Sequence, residues 1–178
     1  NATLSSEGIS KMLADAAATD GVEVKARGDV KAALGSAAKT LEGAYELQFL
    51  AHSAMEPLNA TVLVKSDSAE VWAPTQFQTL VPPTVAAATG LKPEQINIHT
   101  TYLGGGFGRK IEMDFIAQAA VIAKAMPGVP VKTIWSREND MMKDSYRPVS
   151  LQKITVALDS NGMPSAYKYK IASPSISS

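Results

Sequence analysis

The sequence predicts an α+β fold, mixed sheets with packed helices, on three observations. Alternating apolar and polar residues recur in short segments (60–65, 70–73, 96–101, 153–158), and a period of two marks a half-buried strand. Runs with apolar residues at helical spacing stand between them, opened by capping residues and closed by glycine. One strand pattern runs through a glycine cluster, Leu103-Gly104-Gly105-Gly106-Phe107-Gly108-Arg109-Lys110, into a helical pattern.

In chain order, Ser5-Ser6-Glu7 ahead of Ile9, Met12, Leu13 and Ala16 predicts a capped helix closed by Asp20-Gly21. Residues 22–26 alternate as a strand, and Asp29 opens an alanine-rich helix to about Ala38. Leu41, Tyr45, Leu47 and Phe49 then alternate with Glu42, Ala44, Glu46 and Gln48 as a half-buried strand. Composition shifts between Lys39 and Leu50, where a boundary is expected. Residues 51–58, from Ala51 through His52 and Glu56 to Leu58, interrupt the strand patterns, and such loops often line sites. His52 reads first as a structural hydrogen-bonder and second as a proton shuttle. Glu56 is open in the same way.

Residues 60–65 and 70–73 form a hairpin, and Pro74 ends its second strand. Thr75-Gln76-Phe77-Gln78 has the form of a capping box, which places Gln76 in the first turn of a helix running to Thr89-Gly90 and kinked or restarted at Pro82-Pro83. The strand at 96–101 delivers the chain to the glycines. After them Ile111, Phe115, Ala119, Ile122 and Met126 make an apolar stripe expected to pack in the core. Residues 129–135 read as a buried strand, 136–148 as a polar connection, 153–158 and 167–171 as a long hairpin around Asp159-Ser160-Asn161-Gly162, and 173–178 as a loose end.

Four of the twelve glycines fall within 104–108. A strand that passes through glycines into a helix start leaves amides unpaired, and a helix N-terminus favours negative charge. The loop is then either a tight structural turn or a site for an anionic, oxygen-rich group. Arg109 and Lys110 favour the site, because a bare turn has no need of two cations where the helix dipole disfavours them. The spacing fits neither the Walker loop, which needs G-x-x-x-x-G-K-[ST], nor the G-x-G-x-x-G dinucleotide fingerprint.

Composition limits the chemistry. The chain has 178 residues, 46% of them hydrophobic, enough for one or two domains. Seventeen acidic and seventeen basic side chains cancel, so no global field attracts nucleic acid. No cysteine is present, which excludes disulfides, thiolate catalysis and cysteine-held metals within the chain. His52 and His99 are the only histidines, too few for a side-chain metal cage, and no apolar run is long enough to cross a membrane. Abrupt termini read as those of an excised piece.

Three segments, Leu50-Ala51-His52-Ser53-Ala54-Met55-Glu56-Pro57-Leu58-Asn59, Trp72-Ala73-Pro74-Thr75-Gln76 and Gly104-Gly105-Gly106-Phe107-Gly108-Arg109-Lys110, together resemble the molybdopterin-binding large subunit of the xanthine dehydrogenase and aldehyde oxidase family. The likeness is greatest to isoquinoline 1-oxidoreductase β-subunits and related bacterial aldehyde dehydrogenases. It runs from about Leu41 to Ala172. Residues 1–40 resemble, more weakly, the tail of a preceding hammerhead-like region, and 41–178 the N-terminal part of the molybdopterin-binding domain.

The resemblance implies a fragment of a molybdenum hydroxylase that oxidises a small molecule, with water as oxygen source and electrons leaving through an iron–sulfur small subunit. It implies a bacterial cytoplasmic or periplasmic setting. The metal is held by a pterin dithiolene, so the chain supplies no metal ligand. By motif, Gln76 matches the glutamine that hydrogen-bonds a metal oxygen. Phe107 matches the phenylalanine whose backbone faces the metal and whose ring borders the substrate. Gly105, Gly106, Gly108 and Arg109 complete the cofactor wall. The family's glutamate base lies in a later motif outside this chain, which therefore carries no catalytic residue, and the isolated piece is expected to bind no cofactor. Ile111 stands where xanthine-type members carry a glutamate that orients purine, and Glu112 comes one place late. An aldehyde or aromatic N-heterocycle is therefore the expected substrate. The competing reading is a non-catalytic anion- or nucleotide-binding module built on the glycine loop.

Overall fold

The computed structural model describes residues 3–175. Contacts divide the chain into two compact units, one formed by residues 1–50 with 147–178 and the other by 51–146.

In the first unit, α1 (Ser6–Ala18) opens at Ser5, whose hydroxyl accepts from the Gly8 amide. α2 (Val30–Gly35) is capped by Asp29 and stops three residues before the expected Ala38, because the Ser36 hydroxyl turns back onto the Ala32 carbonyl. The strand expected at 22–26 does not form: Val22 and Val24 are exposed and pair with no strand among the described residues. Strand β1 (Lys39–Leu47) pairs antiparallel with β6 (Ser150–Leu158), and β6 with β7 (Pro164–Ala172). β1 is almost wholly exposed rather than half-buried, being the edge of a three-stranded sheet. The small core here is Leu13 and Ala17 of α1 against Val149, Leu151 and Ala172.

The second unit is a four-stranded sheet in the order β4-β3-β2-β5. β2 (Asn59–Val64) and β3 (Ala69–Ala73) form the expected hairpin, with Val62 opposite Val71. Their burial alternates strictly, so each strand offers one face to the core. β3 and β4 (Ile96–Thr100) are parallel and therefore need a crossover, supplied by α3 (Val81–Thr89). Pro82 and Pro83 sit in the first turn of α3, where a missing N–H costs nothing, and Gly90 ends it in the left-handed region (φ 87°).

Helix α4 (Asp114–Lys124) packs on β2 and against α3. It buries Phe115, Ile116, Ala119, Ala120 and Ala123, whereas Ile111, Ile122 and Met126 of the expected stripe are exposed. The helix is apolar most of the way round, and its alanine face is the one that lets the backbone approach the sheet closely. β5 (Val131–Ile134) is an edge strand with Ile134 exposed, not a buried one. The polar connection after it contains a short helix, α5 (Arg137–Met142), whose N-cap is Ser136.

Candidate cofactor site

The three segments that carry the resemblance meet at the glycine loop. Two departures from the expected local structure place them. The loop does not run straight into α4: a single 3-10 turn, Arg109–Ile111, intervenes and α4 starts at Asp114. The loop's free amides are thus its own and do not belong to an α-helix N-terminus. Nor is Thr75 a helix cap. Its buried hydroxyl accepts from the Phe77 amide and donates to the Lys110 carbonyl (3.0 and 3.1 Å), so Gln76 lies in an irregular stretch before α3, with its own amide also donating to the Lys110 carbonyl.

From that stretch the Gln76 side chain crosses to the loop, where Oε1 accepts from the Gly108 amide at 3.0 Å. A Cβ on Gly106 would stand 2.3 Å from that oxygen, so glycine at 106 makes room for Gln76. On the other side Glu56 closes a backbone and side-chain clamp. Its amide donates to the Gly104 carbonyl, and its Oε2 accepts from the Gly104 amide (2.9 Å) and from the Lys110 ammonium (2.7 Å). Burial pushes the Glu56 carboxyl up, but hydrogen bonds from Lys110, Gly104 and Asn59 overcome it and leave the group below the usual carboxylate range.

The two cations that suggested an anion site are both turned inward. Lys110 is fully buried and Glu56 is its only carboxylate partner among the described residues. Arg109, 2% exposed, forks onto Asp114 through two nitrogens (3.0 and 2.7 Å) and lies 5.7 Å from the Trp135 ring centroid. Its Nε is 2.9 Å from Asp144 Oδ1, yet the N–H is not directed at that oxygen, so this contact is an ion pair without a hydrogen bond. Burial opposes the Arg109 charge, and Asp114, Asp144 and Asp140 more than offset it, raising its pKa.

Asp144 is the hub. It accepts from the His52 amide, and both its oxygens lie 3.1 Å from His52 Nδ1. His52 is accordingly held as a structural hydrogen-bonder. Arg137 braces the 51–58 loop from α5 by donating to the Ala54 and Met55 carbonyls while pairing with Asp140. Sequence reasoning passed over Asp144, Asp140 and Arg137, which lay inside a stretch read only as a polar connection; Ser136 followed by Glu138 was the available signal for its helix. His99 stands apart, stacked on Trp72 and bonded to Glu70 (2.6 Å) on strands β3 and β4.

What the clamps leave free is the loop's crest. Among the described residues, no protein acceptor meets the amides of Gly105, Gly106 or Phe107. Phe107 has φ 54° and is 71% exposed. A bulky residue in the left-handed region costs on the order of 1–3 kcal/mol, and a glycine would avoid that cost. The ring is therefore kept for its contacts. Ser53, in the facing loop, is the only other described non-glycine residue with positive φ (43°). No cluster of His, Cys, Asp or Glu able to hold a metal occurs among the described residues, and no described helix is long and apolar enough to cross a membrane.

Residues 14–175 match the family model of the molybdopterin cofactor-binding domain. The membrane-bound aldehyde dehydrogenase [pyrroloquinoline-quinone] of Gluconacetobacter polyoxogenes is 35% identical over 143 residues, 80% of this chain and 18% of that protein. The isoquinoline 1-oxidoreductase subunit beta of Brevundimonas diminuta is 36% identical over 105 residues, 58% of this chain and 13% of its own. Among solved structures, the aldehyde oxidoreductase of Desulfovibrio gigas superposes with a TM-score of 0.66 at 22% identity, covering 82% of this chain and 16% of the other. The quinoline 2-oxidoreductase of Pseudomonas putida 86 gives the same score at 21% identity, over 82% of this chain and 19% of that one. The chain thus spans less than a fifth of these proteins. The family match covers most of the chain, and the chain belongs to the molybdopterin cofactor-binding domain family.

Proposed function

We propose that this chain forms one wall of the cofactor site in the large subunit of a molybdenum hydroxylase, which oxidises an aldehyde or an aromatic N-heterocycle with water as the oxygen source. Residues 41–178 are read as the N-terminal part of the cofactor-binding domain and 1–40 as the tail of a preceding hammerhead-like region, a division that rests on the resemblance, with a composition shift between Lys39 and Leu50 beside it. An iron–sulfur small subunit is the electron-accepting partner.

The crest of the glycine loop carries the reading: three successive amides, those of Gly105, Gly106 and the strained, exposed Phe107, without protein acceptors among the described residues. Such a crest fits an oxygen-rich group that accepts hydrogen bonds. The donor set fits too: what this wall offers is backbone N–H groups and the Gln76 amide, which suit a cofactor held by hydrogen bonds. When bound, the molybdenum centre supplies the two-electron redox chemistry and the oxygen-transfer chemistry.

The chain's own residues bind and orient. Gly105, Gly106 and Phe107 offer amides, and the Phe107 ring borders the substrate space. Gln76 holds Gly108 with Oε1, which leaves its amide N–H₂ free to donate toward the cofactor. Arg109 serves the wall from behind, through Asp114 and Asp144. Ile111 offers no hydrogen bond to a purine, and Glu112 follows the 3-10 turn in extended backbone with its side chain exposed. The test is the full-length protein. Stoichiometric molybdenum and pterin, with aldehyde- or N-heterocycle-dependent dye reduction that incorporates oxygen from labelled water, is the expected result. A purified protein with neither cofactor nor such activity would overturn the reading.

A further inference from the structure

We propose that His52 is a binding residue of this site, its Nε2 accepting a hydrogen bond from an N–H of the pterin bound along the glycine loop. The inference rests on the cofactor reading above and adds a residue to it.

Three observations carry it. First, Asp144 assigns the tautomer. A carboxylate can only accept, both its oxygens lie 3.1 Å from Nδ1, and it also takes the His52 amide, so in the neutral ring the proton sits on Nδ1 and the lone pair on Nε2. Second, the ring is held in place. The His52 side chain is 9% exposed, and its anchor Asp144 is fixed in turn by Arg109, itself forked onto Asp114 and placed over the Trp135 ring. Third, Nε2 has no protein partner among the described residues and opens beside the loop. It is the one atom within 4 Å of the place where a Cβ on Gly108 would stand, at 3.8 Å. Gly108 has φ 103°, so its missing side chain serves the turn and also leaves this space open. A nine-tenths-buried ring with one nitrogen anchored and the other without a protein partner beside the loop is a preorganised acceptor, since little side-chain entropy remains to be lost on binding. Structural anchoring of the loop needs only the Nδ1 side.

The test uses the full-length protein produced with and without cofactor supply. Molybdenum and pterin are first measured in the wild type; if the supplied protein holds neither, the function reading falls and this inference with it. With cofactor present, both forms are treated with diethylpyrocarbonate, which acylates an imidazole lone pair, and the modified histidines are located by mass spectrometry. His52 is expected to label several-fold more in the cofactor-free form, with His99 labelling alike in both. Equal His52 labelling, including none in either form, overturns the inference while leaving the function reading intact. In parallel, His52→Phe is expected to hold cofactor about tenfold more weakly than wild type, the scale of one lost hydrogen bond, whereas His52→Gln, whose amide oxygen reaches the Nε2 position, restores most of it. A folded His52→Phe protein with full cofactor overturns it as well. Should that variant fail to fold, the labelling result decides.

Discussion

Arg109 and Lys110 are adjacent cations, both buried behind the glycine loop, and they are secured in different ways. Arg109 has two carboxylates and an aromatic ring: Asp114, Asp144 and Trp135. Lys110, with no exposed surface at all, has one carboxylate, and that partner, Glu56, is itself 31% exposed. The Arg109 side is redundant and the Lys110 side is not. Sequence adjacency and equal charge therefore conceal unequal dependence on a partner. Breaking a buried pair is expensive because it strands a charge, and the expense grows as the remaining partners become fewer.

The largest effect is expected on the Lys110 side. Glu56→Gln strands a buried ammonium and should cost about 3–5 kcal/mol of folding stability, read by denaturant unfolding of the full-length protein. The same variant tests the sign of the Glu56 titration. The folded-state pKa is lowered, so the stability from its ionised form is present above the ordinary carboxylate range and is lost as pH falls through that lowered value. Acidification from neutral pH should destabilise the wild type more steeply than Glu56→Gln. Parallel acid profiles would remove Glu56 from the account.

On the Arg109 side, Asp144→Asn keeps one acceptor for His52 and leaves Asp114 in place, so a smaller loss of about 1–3 kcal/mol is expected. Asp114→Asn should be smaller again, about 0–1 kcal/mol, since that carboxylate is 42% exposed and solvent-screened. The order Glu56, Asp144, Asp114 is the content of the comparison. A larger loss from Asp144→Asn than from Glu56→Gln would reverse it.

Much of this was legible in the sequence, but the pairing was not. The hairpin of β2 and β3, the caps at Ser5 and Asp29, and the restart of α3 at its prolines follow from local chemistry, and local chemistry is what a sequence displays. The three motif segments were identified together, and the structure joins them through Gln76–Gly108, Glu56–Gly104 and Glu56–Lys110. Failures came where tertiary context decides. Val22 and Val24 alternate correctly but find no neighbouring strand among the described residues. α4 buries Phe115 and Ala119 of the expected stripe together with Ile116, Ala120 and Ala123, but leaves Ile122 exposed, because the direction the helix turns to the sheet is set by its neighbours. The sequence points Arg109 and Lys110 at an outside anion because Glu56 and Asp144 are distant in the chain and because Asp114, though only five residues on, reaches Arg109 only through the intervening 3-10 turn.

The central claim is that internal pairs hold the loop so that its crest is left for a ligand, and Gly106→Ala in the full-length protein tests it most directly. The added methyl group displaces the Gln76 side chain, whose Oε1 lies 2.3 Å from that position, and enters the crest. Because Gln76 is exposed and can swing away, stability should fall by only about 1 kcal/mol, one hydrogen bond's worth. Molybdenum per folded molecule should fall far more than that loss explains. Full molybdenum occupancy in the variant, or a loss that merely tracks unfolding, would contradict the account.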